Sequence, residues 1–77
     1  MDRAATFIHL KYGIDKRMEV MELDSRHFTT VRDILKRERY KFKHCIVHMY
    51  NEHGTRMKLE DIVYNARVYT IKRHPPP

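Results

Sequence analysis

Only one stretch of this chain carries apolar residues at clear helical spacing, and that scarcity constrains the fold. In FTTVRDILKRERY, Phe28 to Tyr40, residues Val31, Ile34 and Leu35 fall at i, i+3 and i+4 and make a stripe on one face. Arg32, Lys36, Arg37 and Arg39 occupy the rest of the surface. Thr30 is placed as the N-cap, with Asp33 three residues on at the capping-box position. Asp33 suits the positive start of the helix, and the cations suit its negative end. A helix of about three turns cannot bury its own stripe. The runs on either side read as strands, so the spacing predicts one helix lying across one small sheet.

The flanking runs supply that sheet. Thr6 to Tyr12 alternates, with Ile8, Leu10 and Tyr12 on one side and His9 and Lys11 on the other. Gly13 to Arg17 reads as a hairpin turn. Met18 to Leu23 is a second strand of imperfect alternation: either Met18 and Val20 or Met21 and Leu23 face the helix, and a bulge would reconcile them. His44 to Tyr50 is a third strand, apolar on both faces. Asn51 to Gly54 is a turn, Thr55 to Leu59 a short further strand, Glu60 to Tyr64 a helical turn, and Asn65 and Ala66 a tight turn. Arg67 to Arg73 is the last strand, with Tyr69 and Ile71 opposite Val68 and Thr70. This order predicts an α+β fold of the β-grasp, or ubiquitin-like, type. A mixed four- to five-stranded sheet packs on one α-helix, with the first and last strands parallel neighbours at its centre. Residues 1–5 read as a flexible N-terminus, 6–74 as the domain, and 75–77 as the start of a proline-rich tail or linker.

The totals narrow function. A single domain of 77 residues leaves little room for an enclosed catalytic cavity. One cysteine forbids an intrachain disulfide and fits a nuclear or cytoplasmic setting. No apolar run is long enough to span a membrane, and the N-terminus lacks a secretory leader's apolar core. Sixteen Lys and Arg against ten Asp and Glu give a net charge of +6, which favours an acidic partner such as RNA or an acidic protein surface.

Candidate chemistry is sparse. His44, Cys45 and His48 are close in sequence, but on a strand Cys45 points away from His44. His44 and His48 then stand about 13 Å apart, too far for one metal. Cys45, mid-strand beside Ile46, reads as a small packed residue rather than a nucleophile. The two glycines form no phosphate loop. The expectation is a non-enzyme without metal, cofactor or small-molecule substrate.

Two surfaces remain. On the sheet face away from the helix, whichever of Ile46, Val47, His48 and Met49 point outward join Val68 or Thr70, ringed by Lys11, Lys72 and Arg73. That makes a protein-docking patch of Lys11, Ile46, His48, Met49, Val68, Thr70, Lys72 and Arg73. The alternative is a nucleic-acid surface of Arg32, Lys36, Arg37, Arg39, Lys41 and Lys43, interleaved with Tyr40 and Phe42. Those two rings serve equally well as core plugs with the cation stems laid around them.

Three segments resemble the DWNN domain, the ubiquitin-like N-terminal domain of the retinoblastoma-binding ubiquitin ligases and their fungal relatives in mRNA cleavage and polyadenylation. Phe7-Ile8-His9-Leu10-Lys11-Tyr12 is similar to that family's opening V-H-Y-K-F. Thr30-Val31-Arg32-Asp33-Ile34 resembles its I-S-V-x-D-L, and Asn65 through Val68 to Pro75 its N-x-S-V-x-V-R-R-x-P. The resemblance implies a docking module at the N-terminus of a larger protein in mRNA 3′-end processing or ubiquitin ligation. No Gly-Gly follows Arg73, so tail conjugation is not implied. A second β-grasp group, the Ras-binding domains, offers another alternative: a GTPase effector in which Lys16, Arg17, Arg32 and Lys36 flank an extended sheet. Glu19 and Glu22 on the same strand oppose it.

Overall fold

The computed structural model describes residues 4–13, 17–38 and 46–74. Its elements follow the order β1 (Phe7–Tyr12), β2 (Arg17–Glu22), α1 (Val31–Glu38), β3 (Ile46–Tyr50) and β4 (Val68–His74). The sheet order is β2-β1-β4-β3. β1 runs antiparallel to β2 and parallel to β4, and β4 runs antiparallel to β3. The result is an α+β fold, a four-strand mixed sheet with one helix, compatible with a β-grasp. First and last strands lie side by side at the centre, as the strand–helix–strand order predicts.

Alternation decides which side chains meet the helix. Ile8, Leu10 and Tyr12 of β1 are buried, and register brings Met21 opposite Ile8, Tyr69 opposite Leu10, and Ile71 opposite Tyr12. Met49 of β3 lies opposite Ile71. Val31 and Ile34 close this layer from the helix, with Leu35 packed partly against it. The ambiguity in β2 resolves without a bulge. Its register with β1 is unbroken from Phe7↔Glu22 to Tyr12↔Arg17, so Met21 faces inward and Met18 and Val20 face out.

Two expected elements are replaced by something more economical. Thr55 to Leu59 does not form a strand: a single bridge joins Tyr50 to Arg56, and the Met57 N–H donates to the Met49 carbonyl. Glu60 to Tyr64 does not form a helical turn. A turn closed by the Asp61 N–H on the Lys58 carbonyl comes first, and then Ile62 is bridged to Thr30 and the Val63 N–H donates to the Thr29 carbonyl. The reason is visible at the helix start, where the first amides lack intrahelical acceptors. Val31 N–H donates to the Asp61 carbonyl and Arg32 N–H to that of Leu59, both at 2.9 Å. A coiled 60–64 segment would withdraw these acceptors.

The third helical amide is served by the cap. Asp33 N–H reaches the Thr30 hydroxyl, and the Asp33 carboxylate accepts the Thr30 N–H at 3.0 Å. Aspartate thus does the work usual for glutamate in this box. The Thr30 backbone hydrogen bond holds the Asp33 carboxyl below its ordinary range, with the Thr30 hydroxyl, His27 and Lys36 acting in the same direction. Since the folded value lies below the unfolded one, this cap's contribution is complete above the unfolded value and is lost as pH falls through the folded one. Asp33→Asn is expected to cost about 1 kcal/mol or less at neutral pH and to flatten the acid limb of the stability curve. Urea melts between neutral and strongly acid pH check this, and an unchanged acid limb would contradict it.

Candidate functional site

Because β-strand side chains alternate, the inward set leaves an outward set on the same strands. Phe7, His9 and Lys11 of β1 lie beside Glu22, Val20 and Met18 of β2. Val68 of β4 lies beside His9, and Thr70 beside Lys11. Tyr50 of β3 is opposite Thr70, and His48 opposite Lys72. Ile46 ends the face. Among the described residues no element packs over this set. Val20 is 61% exposed and Ile46 66%, large values for apolar side chains on regular strands.

The face is half apolar, with its charge placed inside the patch. Lys11 and Lys72 stand diagonally across Thr70. The Lys72 ammonium sits 5.0 Å from the centre of the Tyr50 ring, a cation–π contact, and no carboxylate pairs with it among the described residues. The Phe7 and His9 rings meet edge to face at 5.6 Å, and His9 Nδ1 is buried with no hydrogen-bond partner among the described residues. Phe7, Val20 and Glu22, with Thr6 and Leu23, line a shallow open hollow at one corner.

Of the docking residues expected from sequence, the fold brings Lys11, Ile46, His48, Val68, Thr70 and Lys72 together on this face. Two do not belong. Met49 is 1% exposed and sits in the core, because the odd positions of β3 turn toward the helix. Arg73 is opposite Val47, on the helix-side phase of β4, although its side chain is exposed. Phe7, Met18, Val20 and Tyr50 were not expected there. Val20 and Met18 follow once Met21 is fixed inward, but the apolar pair Val20-Met21 left the phase of β2 open.

The helix-side cations are arranged differently. Arg32 donates to the Glu60 carboxylate, and Arg37 to the Glu22 carbonyl at 2.9 Å. Lys36 is exposed. Arg39, Lys41 and Lys43, like Tyr40 and Phe42, lie outside the described residues, as do Lys16, His44 and Cys45. Among the described residues no three His, Cys, Asp or Glu side chains converge on a metal-sized space. Nor is any described helix long and apolar enough to cross a membrane. No family model, curated protein or solved structure matches the chain.

Proposed function

We propose that this chain is a ubiquitin-like, DWNN-like docking module that performs no chemistry of its own. On this reading it is the N-terminal domain of a larger nuclear or cytoplasmic protein in mRNA 3′-end processing or ubiquitin ligation. Its outer sheet face grips a protein partner. The observation that supports the reading is the uncovered face itself, which carries Val20, Val68, Ile46 and the aliphatic stems of Lys11 and Lys72 on four regular strands, with Val20 and Val68 flanking His9 and Ile46 at the far end of β3. Leaving such apolar area in water has a cost that a partner would remove. The sequestering of Arg32 and Arg37 by Glu60 and the Glu22 carbonyl favours this over nucleic-acid binding by the helix.

The test compares partner capture by the wild-type chain, Val20→Asp, Val68→Asp and Lys36→Glu, each checked for an intact fold by circular dichroism. Each aspartate on the sheet is expected to lower retention at least about tenfold, while Lys36→Glu leaves it unchanged. Retention indifferent to both aspartates would overturn docking on this face. Oligouridylate binding that falls steeply with salt and is lost in Lys36→Glu would install the nucleic-acid reading instead.

A further inference from the structure

We infer that the free edge of β2 pairs with the same edge of a second copy of this chain, antiparallel, about a two-fold axis through Met18. The two edges of the sheet are treated differently. At β3 the following loop folds back: Met57 N–H takes the Met49 carbonyl, and Asn51 N–H takes the Thr55 carbonyl. At β2 nothing equivalent occurs among the described residues. Leu23 N–H donates to the Thr6 carbonyl, which fixes the phase of the ladder. Arg17, Glu19 and Met21 therefore bond inward to β1, and Met18, Val20 and Glu22 point their amides and carbonyls away from it. The Glu22 carbonyl is taken by Arg37, whereas Met18 and Val20 keep theirs open among the described residues. An unguarded edge is a template for another strand.

Charge selects the occupant and the register. Arg17 and Glu19 flank Met18 on one face of the strand and already sit 3.5 Å apart within the chain. With the axis at Met18, the two Met18 residues exchange both backbone hydrogen bonds. Each Arg17 then lies directly opposite the Glu19 of the other copy, in the closer kind of antiparallel pair. An axis at Val20 would instead set Glu19 against Met21 and force Glu22, already capped by Arg37, into the pairing. The Met18 register leaves Arg37 undisturbed and adds the half-exposed Met18 side chains to each other. It also joins the two outer faces into one continuous sheet surface. So short a seam buries less than a standard interface, so the dimer is weak, in the micromolar to millimolar range.

Sedimentation velocity over that concentration range tests the assignment on the full chain. The wild type is expected to rise from 9.4 kDa toward twice that mass. Met18→Pro places its missing N–H on the outward edge, where β1 does not need it, and is expected to stay monomeric and folded. Arg17→Glu and Glu19→Arg each set like charges opposite one another and are expected to stay monomeric alone. An equimolar mixture of these two variants sets an acidic edge against a basic one and is expected to recover the dimer. A wild type that remains monomeric throughout, a dimer indifferent to Met18→Pro, or folded variants that fail to rescue each other would overturn the inference.

Discussion

Met49→Asp is expected to unfold the protein at room temperature, while Ile46→Asp, on the same strand, leaves it folded within about 0.5 kcal/mol. Met49 is 1% exposed and packs in the layer with Ile71 opposite it, whereas Ile46 is 66% exposed on the other face. An aspartate at Met49 loses a buried side chain and imposes an unpaired charge, which together cost at least about 4 kcal/mol. A chain of 77 residues has only roughly 4–12 kcal/mol to lose. At Ile46 the carboxylate meets water, and replacing an exposed apolar side chain removes no core. Circular dichroism and amide dispersion in NMR spectra separate the outcomes. Two variants of equal stability would mean that β3 is out of register by one residue, which would turn the docking face inside out.

That pair of substitutions also marks where the sequence was readable and where it was not. β1 declared its inner face because Ile8, Leu10 and Tyr12 alternate cleanly with polar neighbours, and the core lies on that side. The helix cap was equally legible, since Thr30 and Asp33 act within four residues of each other and need no tertiary information. β3 was harder. With Ile46, Val47 and Met49 all apolar, composition could not tell the faces apart; only the register against β4 does. The 55–64 segment was misjudged for a related reason. Its conformation is set by the acceptors that the distant amides of Val31 and Arg32 require, a demand invisible to local spacing. The docking face was accordingly only half legible. Residues on cleanly alternating strands, Lys11, Val68 and Thr70, were placed, whereas Met49 was mistaken for a surface residue and Val20 was left undecided.

Exposed cations divide in the same way. Arg17, Arg26, Arg32 and Arg67 are held by Glu19, Asp24, Glu60 and Glu52, pairs that lie at strand ends, in loops and around the helix start. Exposed pairs of this kind add little stability. On the outer face Lys11 and Lys72 stand beside apolar and aromatic neighbours, Met18 next to Lys11 and the Tyr50 ring under Lys72. An acidic rim on a partner would gain from these two cations at the uncovered face.

The second large effect is expected at Asn65, which holds the one parallel junction of the sheet in register. Its side-chain oxygen accepts three hydrogen bonds, from Thr6 N–H at 3.0 Å, the Thr6 hydroxyl at 2.9 Å and Phe7 N–H at 3.2 Å. Next to it Ala66 adopts a left-handed conformation, φ 63°, so that its N–H meets the Phe7 carbonyl before β4 begins. The turn is fastened from the other side by the Tyr69 hydroxyl, which accepts the Tyr64 N–H at 2.8 Å. Asn65→Ala strands three donors at once. Water can reach this exposed corner, so the loss is less than three buried hydrogen bonds, about 2 kcal/mol, or a fall in Tm of roughly 8–15 °C. Asn65→Asp keeps the acceptor and is expected to lose less than half as much. Amide exchange should quicken first at Phe7 and His9, whose N–H groups face Asn65 and the Arg67 carbonyl. If the alanine variant melts within a degree or two of wild type, the β1–β4 junction is held by its ladder alone and the side chain merely decorates it.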